Sequence, residues 1–482
     1  MANSPRVREA IVVGAGPNGL TAAARLASEG WRVRVLEAAP TVGGGSRSRR
    51  FGETPDAPGA IIDVCAAVHP FGAGSPAFEE LQLGEHGLEW VHAPVALAHP
   101  FADGSAAVLY RDLERTALGL GRDGDRWRSL IGPFAHDWTR FRHLALGPVP
   151  SSLVHHPARM ARFGLEAVLP ATVFARLLLH TSPGRALIGG LAAHTGERLT
   201  QPTSAGVAVA LAAAAHAVGM PVARGGSQRI VDALRAVIEQ HGGVIECNRS
   251  VTSLADLPPT DVVLFDLTPH QVATMTGAPT PRWRRGVAAW KMDLVLSAPM
   301  PWRNPECASA ATVHLGGTIE EISAAERATV RGDVVDEPFV IVSQPTAADR
   351  SRAAAGQHVV WAYRHVPNGC DDARATDGIE RRFDQFAPGW RDVVVSRSVT
   401  TALDYAAYNA NYLGGDIAGG AMTPWQMIAR PRLAIDPYRT KTPGVWICSQ
   451  STPPGPGVHG MCGWHAAGSV LEHTTGRHAR ES

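Results

Sequence analysis

The chain has 482 residues, 45% of them hydrophobic and 18% charged, the composition of a globular protein large enough for two or three domains. A formal net charge of +1 gives no electrostatic basis for binding nucleic acid. The longest apolar run, Ala205–Ala215, falls well short of the ~20 residues that cross a bilayer, and leaves peripheral membrane contact open. Six cysteines (Cys65, Cys247, Cys307, Cys370, Cys448 and Cys462) are scattered with no C-x-x-C pair. With no basic-then-apolar leader over Met1–Arg8, reduced thiols in a cytoplasmic protein are expected.

Ile11-Val12-Val13-Gly14-Ala15-Gly16-Pro17-Asn18-Gly19 sets a β-branched run ahead of a glycine-rich turn, and Leu20–Ser28 reads as an alanine-rich helix. Gly14 permits the tight turn, Gly16 lets the backbone approach a pyrophosphate, and Gly19 lets helix and strand lie close. The pyrophosphate is expected at the helix N-terminus, where free N–H groups and the dipole favour an anion. Gly30 stops the helix and Trp31–Leu36 reads as the second strand. Glu37 follows about 20 residues past the glycines, where a carboxylate accepts ribose hydroxyls and disfavours the 2′-phosphate of NADP. Gly119-x-Gly121-x-x-Gly124 fits the same pattern, but it lies among Arg122, Asp123 and Asp125 with no apolar strand before it. It is expected to be a loop.

A second glycine cluster, Val42-Gly43-Gly44-Gly45-Ser46-Arg47, follows. Its glycines let the backbone pass close to a larger cofactor, and Arg47 can reach a phosphate. A flavin dinucleotide uses such a cluster; an ordinary glycine-rich loop fits these residues equally well. Residues 76–110 mix short helix and strand signals. From Trp127 to Gly219 the pattern is mostly helical, with Arg159–Leu179 amphipathic and Ser204–Val218 alanine-rich. His194 and His216 lie near the ends of this block without a partner at helical spacing, as helix-end or pocket residues rather than metal ligands.

Arg224-Gly225-Gly226-Ser227-Gln228 resumes a cofactor-type signature. A helix to Gln240 and the strands Val244–Cys247 and Asp261–Phe265 then return the chain to the first sheet. Between Arg282 and Asn411, the alternating stretches Met292–Leu296, Phe339–Val342 and Val359–Tyr363 predict an antiparallel sheet. Val445–Ile447 leads through a Pro/Gly turn into a closing helix. Gly455-x-Gly457-x-x-Gly460 is not read as a second nucleotide site, because no second strand and acid follow before Ser482. Its helix N-terminus is placed to face a reduced flavin.

Together these segments resemble the phytoene-desaturase-like FAD oxidoreductases of the amine-oxidase-type flavoprotein superfamily. The likeness rests on the unit at 11–47, the Gly-Gly segment at 224–251, the closing T-x-P-G-x-G-V-x-G at 452–460, and the stretches Ser204–Ser227 and Tyr408–Gly420. It implies an α/β protein. A Rossmann-like FAD-binding domain would be built from 1–75, 220–281 and 425–482. An α+β substrate domain with an antiparallel sheet and a helical insertion would take 76–219 and 282–424. By the same resemblance Gly14, Gly16 and Gly19 meet the FAD pyrophosphate, backed by Gly44, Gly45 and Arg47. Glu37 and Ala38 meet the adenosine ribose and Val251 the adenine. Ser451, Gly457, Val458 and His459 lie toward the flavin. Pro456 and Ser449 depart from glycines common in the family, and the stretch from Val251 to Asp261 is short for the usual hairpin.

The expected chemistry is dehydrogenation of a largely apolar small molecule by hydride transfer to flavin N5, with oxygen or a quinone as final acceptor. Amine oxidation to an imine, and a non-redox isomerase or silent FAD scaffold, are the alternatives. His69 and His459 are the candidate bases; His69 fits a turn residue before Pro70 equally well, and His459 is read more as a flavin contact than as a base. Cys462 is read as a buried structural thiol rather than a covalent flavin anchor. Trp302, Trp361, Tyr363 and Trp425 would line the substrate cavity if the sheet roofs the flavin; core packing is the plainer reading of any one of them. Lys291, in Trp290-Lys291-Met292-Asp293-Leu294, resembles the amine-oxidase-type lysine that holds a water at flavin N5. Its plain alternative is a strand lysine with its ammonium in water.

Overall fold

The β-branched run Glu9–Val13 forms the central strand of a five-stranded parallel sheet, ordered Val445–Ile447, Val262–Phe265, Glu9–Val13, Arg32–Leu36, Val244–Glu246. The structure is a computed structural model that describes residues 7–51, 59–148, 163–164 and 166–481. The four strands beside the central one come from three separate stretches of chain, as the sequence predicts. Helix Pro17–Ser28 starts at a proline whose fixed φ suits the first helical position. Its alanines pack with Leu20 and Leu26 against helix Gln228–Gln240 and the closing helix Met461–Glu481. A Cβ on Gly463 would overlap the Asn18 carbonyl, so the closing helix meets the first one backbone to backbone.

A seven-stranded sheet runs Val394–Thr400, Ala288–Leu296, His358–Val366, Val340–Ser343, Ala310–Leu315, Val95–Pro100, Ala106–Leu109. All its pairs are antiparallel except Ala310–Leu315 with Val95–Pro100. The hairpin from 95 to 109, where sequence signals are mixed, belongs to this sheet. Both of its faces are covered. Trp290, Met292 and Leu294 pack with Trp302, Phe383 and Trp390 beneath helix Arg374–Phe386. The other face looks into a cavity and onto the helices Gly124–His136, Ala171–Leu178, Ser182–Ala193 and Ser204–Ala217.

Three local expectations are refined. Gly119–Gly124 is a tight junction between the helices Leu113–Gly119 and Gly124–His136 rather than an open loop. There the buried Asp123 accepts the His180 and Thr181 amides, so the motif packs helices. Between Val251 and Asp261 the usual hairpin is replaced by one 3₁₀ turn, Leu254–Asp256, held by a Ser253/Asp256 capping box. Of the amphipathic stretch 159–179, residues 159–162 and 165 lie outside the described residues, and Ala171–Leu178 is helical.

Candidate active site

Gly14 turns the chain out of the first strand at φ 101°, a conformation glycine adopts without steric cost. The next amide, Ala15 N–H, donates to Glu37 Oε2 at 2.7 Å, and Ala39 N–H donates to Glu37 Oε1 at 2.9 Å. Glu37 therefore braces the turn at the end of the second strand. Gly44 brings the second glycine cluster against the first: a Cβ there would stand 3.2 Å from the Gly16 Cα. Between the two clusters, Ser46 Oγ and Asn18 Oδ1 are buried without a hydrogen-bond partner. A buried polar atom needs a partner, and both residues line the cavity. The turn thus fits a dinucleotide whose phosphates lie against the cavity edge of the clusters, at Asn18, Gly45 and Ser46.

The helix N-terminus itself is partly taken. Asp266, at the end of strand Val262–Phe265, accepts the Gly19 amide at 3.0 Å. A Cβ on Gly16 would fall 2.5 Å from its Oδ2. Burial pushes Asp266 up to about 7, with Glu37 adding repulsion. The sequence-level picture of free N–H groups at this terminus is corrected accordingly: Gly19 serves Asp266, not an open anion site.

From this turn a cavity of about 580 Å³ extends past Cys65–Gly72 and Gly457–His459 to the roof formed by the second sheet. On the roof, Lys291 pairs with Tyr363 and Tyr363 with Ile341, Ala289 pairs with His365, and Trp361 pairs with Ser343, which pairs with Thr312. The walls toward the helices are apolar, including Val207, Ala210, Leu211 and Met220. Among the described residues the lining contains no carboxylate, and Lys291 is its only lysine or arginine.

Lys291 is 2% exposed, so its ammonium does not reach water. Nζ donates to Asp293 Oδ1 at 2.6 Å and to the Asp63 carbonyl at 2.7 Å, and it stands 5.4 Å from the centre of the Trp361 ring. The solvent-exposed alternative is overturned because helices and the strand Ala60–Asp63 cover this face. His69 is buried on the cavity wall. Ser227 gives its hydroxyl hydrogen to the Ala66 carbonyl, so His69 Nε2 donates to Ser227 Oγ at 2.7 Å. Burial pushes His69 down to about 4, leaving it neutral. His459 accepts the Met461 amide on Nδ1 at 3.0 Å and is likewise pushed down to about 4 by burial. Its ring caps the closing helix and offers a donor, not a base, on Nε2.

Other expected contacts are placed as follows. Gly45, Gly457 and Val458 line the cavity, and Gly457 holds φ 139°. Arg47 donates to the Thr41 carbonyl and to Tyr408 and stands 3.5 Å from Glu37, so it is spent on the protein's own loop. Ala38 is exposed beside Glu37. Val251 is buried with Ile11, Val13 and Leu36 against the five-stranded sheet. Ser451 Oγ donates to the Gly419 carbonyl at 2.7 Å. The Cys462 thiol faces the carbonyls of Thr452 and Gly455. The Gly-Gly segment clasps the domains: Ser227 N–H donates to Asp63 and Gly225 N–H to Asp349, while Arg352, fully buried, bridges both carboxylates. His194 lines the cavity, 3.1 Å from His314, and His216 accepts the Trp127 indole N–H.

Of the four aromatics expected in the cavity, Trp361 and Tyr363 are there. Trp302 lies on the opposite sheet face and donates to Gln344, and Trp425 is 66% exposed. Two features were not anticipated. Tyr405 and Tyr412 stand edge to face at 6.2 Å in the lining. His365 donates from Nδ1 to the buried Glu326 Oε2 at 2.8 Å, which leaves Nε2 beside Gly196 at the cavity wall. The period-two pattern Trp361-x-Tyr363-x-His365 carried the signal for one shared face.

Comparison with known proteins places this geometry. Residues 12–81 match the NAD(P)-binding Rossmann-like domain family. The fold as a whole is that of an oxidoreductase from Methanosarcina mazei, at 16% identity and a TM-score of 0.63, covering 96% of this chain and 100% of that one. Putrescine oxidase bound to putrescine superposes with a TM-score of 0.61 at 14% identity, over 97% and 99% of the two chains. In sequence, pyridine nucleotide-disulfide oxidoreductase domain-containing protein 2 of Rattus norvegicus is 29% identical over 145 residues, 28% of this chain and 25% of that protein. A limonene dehydrogenase polypeptide of Castellaniella defragrans is 29% identical over 126 residues, 25% of this chain and 22% of that protein. The chain thus matches about a quarter of the length of these curated relatives. Among the described residues no helix is long and apolar enough to cross a membrane.

Proposed function

We propose that the chain is an FAD-dependent oxidoreductase of the phytoene-desaturase-like type that dehydrogenates an uncharged, largely apolar small molecule. One observation carries this reading: a single cavity joins the dinucleotide turn to an apolar chamber roofed by the second sheet. Gly14, Gly16, Gly44 and Gly45, with Ser46 and Asn18, would hold the pyrophosphate. Glu37 would meet the ribose, and Gly457 and Val458 the ring. The flavin, when bound, supplies the hydride acceptor, and oxygen or a quinone restores it.

The chain's own groups supply the rest. Apolar walls exclude water around the substrate. Glu326 fixes the His365 tautomer with hydrogen on Nδ1, so Nε2 is the atom that can take a proton from substrate. His365 is the better placed base: its donor nitrogen faces a carboxylate, whereas His69 donates to the neutral Ser227 hydroxyl and the accepting nitrogen of His459 is taken by the Met461 amide. Because the described lining holds no carboxylate, an amine cation would lose its hydration without gaining a counter-charge. That favours an uncharged substrate over a polyamine. The test is anaerobic mixing of the purified protein with cyclic terpenes and polyenes on one side and putrescine on the other. Bleaching of the flavin by a member of the first set is expected; bleaching by putrescine alone would contradict the reading.

A further inference from the structure

Three buried polar atoms on the cavity roof have no hydrogen-bond partner: Trp361 Nε1, Ser343 Oγ and Thr312 Oγ1. Their residues are 5%, 1% and 2% exposed, so bulk water does not satisfy them. They form a row. Trp361 is the register partner of Ser343, and Ser343 of Thr312, on adjacent antiparallel strands. Register partners share a face at steps of about 5 Å, and all three residues line the cavity. Most other buried indoles are satisfied: Trp127, Trp290, Trp302, Trp390 and Trp446 each donate to a side chain, and among the described residues Trp138 shares the orphaned state of Trp361.

We propose that this row is a hydrogen-bonding subsite for one uncharged oxygen acceptor on the substrate, a carbonyl, set in an otherwise apolar chamber. An indole N–H only donates, and serine and threonine hydroxyls rotate to donate as well. Neighbouring side chains about 5 Å apart can both reach one oxygen at about 2.9 Å, and a carbonyl oxygen has two lone pairs to receive them. A carboxylate fits poorly. The one cation in the described lining, Lys291, is already spent on Asp293, and a buried anion without a counter-charge is strongly disfavoured. In the adjoining row His314 is pushed well below the ordinary histidine range by burial, and as a neutral ring it adds no charge. The substrate is therefore an oxygenated apolar molecule rather than a pure hydrocarbon. This inference rests on the reading of the cavity as the substrate chamber.

Limonene and carvone test it, because they share one cyclic skeleton and differ by a carbonyl oxygen. Equilibrium dialysis against the protein as purified is expected to retain carvone at least about tenfold more tightly than limonene, the difference that ~1.4 kcal/mol makes. In the Ser343→Ala/Thr312→Val variant, and separately in Trp361→Phe, that preference should fall several-fold with flavin absorbance unchanged. Equal retention, retention of neither probe, or a preference that survives both variants overturns the subsite. Loss of flavin in either variant assigns the row to the cofactor and overturns it as well. A colourless wild-type protein that still prefers carvone would contradict the flavin reading and leave the subsite standing.

Discussion

Lys291 Nζ stands 2.6 Å from Asp293 Oδ1, two residues along one strand, and both side chains are sealed from solvent. The pair carries no net charge into the cavity. It also changes what a substitution at Lys291 measures: removing the lysine alone leaves Asp293 as a buried carboxylate whose nearest remaining guanidinium, Arg49, is 3.9 Å away.

Lys291→Met is expected to destabilise the fold by about 3–5 kcal/mol, the cost of breaking a buried pair from one side. Lys291→Met/Asp293→Leu should recover most of that loss in thermal unfolding. The double variant then isolates the catalytic question. If Lys291 assists oxygen, reoxidation of its reduced flavin slows at least about tenfold in stopped flow at normal FAD content. An unchanged rate would make the pair structural and point to a quinone as acceptor.

Asp266 predicts a pH dependence with a definite sign. Burial raises its carboxyl to about 7, above the ordinary ~3.9. The stabilisation of its protonated form is thus fully present below about pH 4 and is lost as pH rises through about 7. Glu37 is the charged group facing it; the nearby Cys448 and Cys462 thiols and the Tyr412 hydroxyl are held neutral by burial. With the pyrophosphate at this turn as proposed, an ionised Asp266 would repel it, so FAD should bind more tightly at about pH 6 than at about pH 8. Asp266→Asn should flatten that dependence in a fluorescence titration. A wild-type affinity independent of pH would remove Asp266 from the cofactor site.

Gly463→Ala should lower the thermal midpoint and release flavin, because its Cβ has no room against the Asn18 carbonyl and overpacking typically costs about 1–3 kcal/mol. Gly84→Ala is the control, since nothing lies within 4 Å of the added carbon. Equal unfolding curves for the two variants would refute the close contact of first and closing helices.

Glu326→Gln should weaken His365 as a base without removing it. With any substrate that bleaches the flavin, the reduction rate is expected to fall about tenfold at normal FAD content, because a neutral amide no longer holds the His365 hydrogen on Nδ1 as the carboxylate does. Glu326→Asp should restore part of that rate; a rate as low as that of Glu326→Gln would reduce Glu326 to packing.

The strand, turn, helix and acid at 9–37 are readable because each obeys short-range rules: φ at Gly14, small residues at the helix–strand contact, an acid at the strand end. Alternation from 288 to 296 likewise marks two faces of a strand. It does not say whether the polar face meets water or a roofed cavity, so the burial of Lys291 was hidden. Residue type alone also cannot choose a face: Trp361 and Tyr363 reach the cavity, Trp302 takes the core-packing alternative, and Trp425 does neither. The remaining misses are contacts between distant stretches: Asp266 against Gly19, Glu326 against His365, and the hairpin at 95–109 joining strands beyond residue 288.

The most direct test is the identity and stoichiometry of what the protein carries. Heat or acid release from protein purified with added FAD should give close to one FAD per chain, and Gly16→Val should abolish retention by crowding Asp266 and the phosphate path. A colourless wild-type protein, or one that holds a nicotinamide dinucleotide instead, would contradict the account.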